Sequence, residues 1–518
     1  MTNELVYQYL GRKKIYTDVD YIDKNNIIDV ISMSLPFHLE NTSQMEFLLL
    51  YEGGRQQLSR TKKVRSEIDI KDIQNLAHYI TDFKLSYNWG NPISFVKKSS
   101  KKDNQKSMDV INDMFDRECF NSKNQKLFRF IEICGIGFTY TNYKKNKKEN
   151  EAVFDYAVID PRYAFKVYKN DIKETPILDV MIKTAKSGER TFYCYTKDRY
   201  YEIKDGLTIV NDEKKYDYQP TKNSGVKNPL GLLPLTEWLR DNDRMGCFER
   251  EIDSMNALNT KASDFDNEIA QTVQAIIHSN DVEFPKDSNG NTITPKTGEW
   301  VRTQTTASGK TPFIKAIDTT FDYSGIERNI LESANAICNR CFVPLDQTLG
   351  GGSTGVAMSL SAGWQKAESY ANKQELVVRE SLMHVMELVL KCIELSDYDK
   401  TIAKIDLRDI EPHILRNKTY DLSTKTNALA TLIKHGISLK DALVITDISG
   451  DISQVIKNSQ KLVDAYQNKE LGLGEEKIQK NENKILQDES MQTSNSPIID
   501  GMKMEKDATP KNDNKQNL

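Results

Sequence analysis

Apolar residues recur along the chain with two different periods, and the period changes at a few sharp points. Residues 27–51 carry apolar positions at helical spacing, interrupted near Pro36 and ending at Gly53 and Gly54, where glycine can stop a helix in a left-handed conformation. Across residues 68–87, Ile70, Ile73, Leu76, Ala77, Ile80, Phe83 and Tyr87 lie three or four apart, and Gly90-Asn91-Pro92 closes the run. The spacing predicts one amphipathic helix there and another over 115–133. The period then drops to two. Residues 135–141, 153–159, 164–168, 177–184, 191–195 and 200–203 read as short strands between turns, a β-rich platform packed on the preceding helices.

Helical spacing returns at 248–276, where Phe248, Ile252, Met255, Ala262, Phe265, Ile269, Val273 and Ile276 predict a helix about 40 Å long. Its other faces are mostly acidic. Prolines and glycines break residues 281–318 into short β-like pieces, and helix resumes over 323–341, ending before Pro344. Two helices of unequal length thus flank a compact β tip. A glycine-rich stretch follows, and from Val356 to Leu395 the helical period holds for about 60 Å if straight, with Gly363 as the natural place for a kink. Shorter helices are predicted at 422–434, at 438–444 with Ser438 as N-cap, and at 452–466. From residue 468 the composition is Lys, Glu, Asn, Gln and Asp, too polar to order itself.

Composition narrows the class. A chain of 518 residues implies several small cores, and 28% charged against 38% apolar residues implies soluble helices with wide polar faces. No apolar run is long enough to span a bilayer and the first residues do not read as a signal peptide, so the expectation is a reducing cytoplasm and no membrane. Seven scattered cysteines agree, being no disulfide framework. A net charge of −4 argues against a uniformly basic glove for nucleic acid.

Candidate chemistry is sparse. Gly350, Gly352 and Gly355 match a dinucleotide fingerprint, and Gly350 to Gly355 has the spacing of a phosphate loop. The first needs a buried strand before the loop, and the second needs Lys and Ser or Thr where Val356 and Ala357 stand. A loop able to take unusual backbone angles or to move is the simpler reading. Cys338 and Cys341 form a C-x-x-C on the apolar side of a helix, with no further ligand pair for zinc, and the six histidines show no ligand spacing. Basic runs at 97–102 and 144–148 read as solvated loops. Lys286, Lys296, Arg302, Lys310 and Lys315 fall in the β tip, which its two helices would hold out toward a partner. No catalytic constellation and no cofactor is indicated.

This order of elements resembles the portal proteins of tailed bacteriophages, in the branch found in phages of Gram-positive hosts. Short motifs carry the resemblance. Leu50-Tyr51-Glu52-Gly53 with Arg60 looks like the family's tyrosine-glutamate-glycine segment, although Gly54 departs from it. Tyr79 to Phe83 followed by Gly90-Asn91-Pro92 is similar to its helix and turn. Asp160-Pro161 with Val167-Tyr168 resembles its platform strands. Leu233 to Trp238, Asn242, Met245 to Glu249 and Ile252 to Ala257 resemble the entry to its stem helix, and Gly355-Val356-Ala357 the end of its tunnel loop. The resemblance covers residues 45–470, and the first fifty residues carry little of it.

The resemblance implies an α+β, elongated subunit with an α/β wing (1–245), a stem helix (246–276), a β-rich clip (277–321) and a second stem helix (322–341). A tunnel loop (342–355), a long kinked helix (356–398), a helical crown (399–470) and a disordered tail (471–518) would follow. It further implies a homo-oligomeric ring of about twelve subunits at one capsid vertex of the virion. Double-stranded DNA would pass through the ring. Terminase large subunit, scaffolding and major capsid protein, and a head-tail connector protein would be its partners. On this reading Asp346, Gln347, Thr348, Leu349, Gly350, Gly351, Gly352, Ser353 and Thr354 form the tunnel loop. Glu249, Asp253, Asp264 and Glu268 face the channel and repel phosphates, Gly363 is the kink, and Lys286, Lys296, Arg302 and Lys310 meet partners or DNA at the clip. The rival from another class is a nucleotide-binding enzyme using the Gly350–Gly355 loop.

Overall fold

The computed structural model describes residues 11–58, 68–97, 105–145, 151–210, 213–273, 277–280, 287–291, 313–316, 323–344, 363–396, 398, 402, 405–414, 416 and 422–446. The chain divides into two units, residues 1–419 and 420–518. Among the described residues, no helix is long and apolar enough to cross a membrane.

Pro36 does not interrupt the first helix. Helix α1 (Ile27–Glu52) runs through it because Pro36 lies on the solvent face, where the carbonyl freed by its missing N–H can reach water. Only the second half of the helix expected over 68–87 forms. Helix α2 (Leu76–Trp89) begins after Asn75, whose φ of 42° is left-handed, and residues 68–75 are not helical. The helix expected over 115–133 is two helices, α3 (Gln105–Arg117) and α4 (Phe120–Cys134), parted at Cys119 with φ 53°. Strand β2 (Ile93–Lys97) lies between α2 and α3.

The alternating stretches form strands as their period demands. They are β3 (Ile136–Tyr143), β4 (Phe154–Ile159), β5 (Ala164–Lys169), β6 (Pro176–Thr184), β7 (Arg190–Tyr195) and β8 (Arg199–Val210), continued by β9 (Glu213–Pro220), β10 (Val226–Lys227) and β11 (Leu235–Leu239). One sheet has the order β1-β5-β6-β7-β8-β10, with β9 also on β8; its edge strand β1 (Ile15–Thr17) pairs parallel with β5. A second sheet has the order β11-β3-β4.

After β11 the chain enters helix α5 (Ile252–Val273), preceded by a 3-10 turn at Glu249–Glu251. Strands β12 (Ile277–Asn280) and β13 (Phe313–Ala316) pair antiparallel, and helix α6 (Tyr323–Arg340) packs back on α5. Helix α7 (Trp364–Leu395) lies along β3 and β11, and on β14 (Ile410–Ile414), which pairs with β2. Gly363 has a φ of 85° and is the N-cap of α7, so it opens this helix instead of bending one that runs through it. A residue with that φ cannot carry an α-helix onward.

Three cores result. One gathers Trp89, Phe95, Phe115, Phe120, Phe128 and Trp238 under Val378, Leu382, Val385 and Val389 of α7. A second joins Met45, Leu48 and Tyr51 of α1 to Phe248, Ile252, Met255 and Leu258 at the start of α5 and to Ile337 of α6. The third packs Val30, Ile31 and Leu35 of α1 on Val167, Val180 and Phe192. In the second unit, α8 (Leu422–Lys434) and α9 (Leu439–Thr446) pack on each other, parted at Gly436 with φ 86°.

Candidate functional site

The paired helices α5 and α6 join the body where three glycines let backbones cross. A Cβ on Gly246 would meet the Ile133 carbonyl oxygen well inside van der Waals contact; one on Gly135 would strike Arg244 and Met245, and one on Gly11 the Asp243 oxygen. Charged groups buried beside this crossing hold it in place. Arg12 pairs with Glu249, both side chains fully buried, and the Gly246 N–H donates to Glu249 at 2.7 Å. Arg244 donates to the Arg12 carbonyl at 2.7 Å and to Glu237 at 2.8 Å. Burial pushes the Glu249 carboxyl above the usual range, and the Arg12 guanidinium opposes that shift.

Glu249 is therefore an internal strut and presents no charge to a channel. The other acids expected on that surface differ from it: Asp253 and Asp264 are exposed and Glu268 is half-buried. The buried face of α5 includes Asn259, Ser263 and Asn267, four residues apart. These side chains accept the Gln74, Asp72 and Ile70 N–H groups at 3.0, 2.9 and 2.9 Å. The non-helical segment 68–75 is thus tied along α5 by side chains standing in for a strand.

Both ends of the glycine-rich segment arrive at one place. Gly363 lies against Pro344, with a Cβ position 3.8 Å from the Pro344 Cα. Beside them the Phe342 and Tyr370 rings stack at 4.7 Å, and the buried Lys84 ammonium donates to the Phe342 carbonyl at 3.2 Å while lying 4.7 Å from the Tyr370 ring. Burial pulls the Lys84 pKa down. Arg240 donates to the Tyr370 hydroxyl at 2.5 Å, and Trp364 packs on Phe83 and Tyr87. Pro344 and Gly363, the two residues that flank the glycine-rich segment, are therefore held side by side in a clamp built from α2, α7 and the end of α6. No sequence pattern announced Lys84 or Tyr370; their partners lie far away in the chain.

The clamp borders an open cleft of about 660 Å³ lined by Arg240, Asp241, Asp243 and Gly246, by Cys247, Arg250 and Glu251, by Arg340 to Phe342, and by one face of α7 between Gln365 and Lys373. The predicted loop residues 346–354 lie outside the described residues, as do Lys286, Lys296, Arg302 and Lys310. Upstream of the glycines the described residues end with helix α6 and Pro344, and among the described residues there is no strand of the kind a dinucleotide fingerprint requires just before the loop.

Cys338 and Cys341 sit in the core around α5 and α6. Burial pushes the Cys338 thiol up to about 11 and that of Cys341 higher still, opposite to what thiolate chemistry needs. One possible ligand cluster escaped the sequence reading. His78 and Asp82, four apart on α2, meet Glu52 at the end of α1, with His78 Nδ1 2.8 Å from a Glu52 oxygen. Arg129 already donates to both Glu52 oxygens at 2.7 and 2.9 Å, so a cation there would have to displace a guanidinium.

Comparison with curated proteins found no match. Comparison with family models did, and the region matched includes the helix pair, the glycine crossing, both ends of the glycine-rich segment and α7. The model of the phage portal proteins, SPP1 Gp6-like, matches residues 38–461, and the chain belongs to that family.

Proposed function

We propose that about twelve copies of this chain close into a ring at one capsid vertex, the channel through which double-stranded DNA enters during packaging and leaves during ejection. Residues 1–245 form the wing, 246–276 and 322–341 the stem, 277–321 the clip, 342–355 the tunnel loop, 356–398 the long helix and 399–470 the crown. The clip docks terminase and later the head-tail connector, and capsid and scaffolding proteins surround the wing. The chain is made in the host cytoplasm and ends in the virion. One observation carries the reading: a portal-family chain in which both ends of the glycine-rich segment are held in one rigid clamp, an arrangement suited to a loop that works mechanically at a channel. Exposed Asp253 and Asp264 support a lumen that repels phosphate and keeps DNA sliding.

Electron microscopy of the purified protein tests the assembly, with rings expected and a monomer or dimer contradicting it. Packaging assays test the loop. Deleting residues 350–355 should abolish packaging and leave ring assembly intact; undiminished packaging would remove the mechanical role. The rival nucleotide-binding enzyme has no support from the helix that precedes the glycines.

A further inference from the structure

We propose that the cleft beside the clamp is a binding site for a phosphate-bearing polyanion, contacted first by Lys366 and Lys373. The cleft holds five cations, and three are already matched. Arg240 donates to Asp241 at 2.7 Å, Arg340 pairs with Glu251 at 2.7 Å, and Arg250 pairs with Asp243. Lys366 and Lys373 have no ion-pair partner among the described residues, and both are exposed on the face of α7 that lines the cleft. The surplus positive charge of the cleft is therefore theirs.

Their spacing selects the ligand. Seven residues on a helix set the two lysines on one face, with their backbones about 10 Å apart along its axis. A phosphodiester strand, which repeats its charge about every 3.4 Å along the duplex axis, meets both at once, whereas a single small anion meets both only by drawing the two side chains together. Most of the lining residues are charged or polar by type, and its two aromatic ones, Phe342 and Tyr370, are stacked on each other, which leaves an acidic peptide few apolar anchors. The matched guanidiniums form a fixed rim that does not bind strongly by itself, so each copy would hold the polyanion through two lysines and release it readily. For its natural ligand, the backbone of duplex DNA, the inference rests on the portal reading; for the site it rests on the cleft. Free inorganic phosphate is the other source of the same chemistry.

The test is fluorescence anisotropy of a short labelled duplex with the full-length protein over a range of NaCl concentrations. Substituting Lys366→Gln and Lys373→Gln together should weaken binding and lower the slope of log affinity against log salt by about 1 for each lysine that meets a phosphate. Lys366→Arg with Lys373→Arg should keep the slope, and Lys391→Gln, outside the cleft on the same helix, should leave it unchanged. Competition by inorganic phosphate that is lost in the glutamine variant supports the site with the small anion as a ligand. An unchanged slope in the glutamine pair, an equal loss in Lys391→Gln, or displacement by polyglutamate without any duplex binding would overturn the proposal. Imaging capsids for single-vertex occupancy reads the portal assignment separately, since rings at one vertex with an unaltered slope reject the cleft alone.

Discussion

Gly246 sits where no side chain fits, against the carbonyl of Ile133, while Gly225 has a left-handed φ of 87° with open space around it. The two should respond differently to alanine. Gly225→Ala should cost about 1 kcal/mol, the strain of its backbone angle. Gly246→Ala must push two main chains apart and should cost about 3 kcal/mol or more, read as the difference in urea unfolding. His38 offers a test of a different kind. It is buried, stacked on Phe165 at 4.6 Å and bonded to the Arg162 carbonyl at 2.9 Å, and burial pulls its pKa down to about 4. Between pH 6.5 and 4 the unfolded chain takes up a proton that the folded one refuses, so stability falls as pH falls through that window and is untouched above it. The loss should approach about 3 kcal/mol by pH 4, and His38→Gln should remove it when unfolding is compared at pH 7 and pH 4. None of these roles was legible in sequence. Gly246 and His38 look ordinary until residues more than a hundred positions away arrive beside them.

Elements were legible where one period ran long. Helix α7, β3 to β8 and the α5–α6 pair with strands between them follow directly from apolar spacing. Boundaries were lost where backbone groups find partners that periodicity does not encode. Residues 68–75 have helical spacing, yet the side chains of Asn259, Ser263 and Asn267 take up the Ile70, Asp72 and Gln74 N–H groups and hold the segment out of a helix beside α5. Asn267 also donates to the Ile70 carbonyl at 2.8 Å, so one amide closes both polar groups of that residue. Asn267→Leu should therefore cost about 1–3 kcal/mol and speed amide exchange at Ile70 and Asp72 more than at α2. Uniform acceleration across α2 would mean that the ladder does not act as a local unit. Cys119 and Gly363 show the same limit. Apolar spacing passes over both, and a single left-handed backbone angle separates two helices at Cys119 and marks the start of α7 at Gly363.

At the scale of the molecule, the family match begins at residue 38, and the first fifty residues carried little of the resemblance. The described part of that region is nevertheless built into the body. Strand β1 extends the seven-stranded sheet beside β5, and Arg12 reaches the start of the α5 approach to pair with Glu249. It thereby links the sheet to the helix pair proposed as the stem. Removing residues 1–17 would leave the Glu249 carboxylate buried without its guanidinium, and Arg244 without the Arg12 carbonyl that accepts from it. An uncompensated buried charge costs about 3–5 kcal/mol, so the truncated chain should unfold at markedly lower urea concentration. Arg12→Met should reproduce most of that loss with β1 still present. Adding Glu249→Gln, which removes the orphaned charge but still accepts from the Gly246 N–H, should restore a large part of it. If the double variant is no more stable than Arg12→Met alone, the ion pair is not what ties the N-terminal strand to the helix pair, and β1 pairing must carry the connection instead.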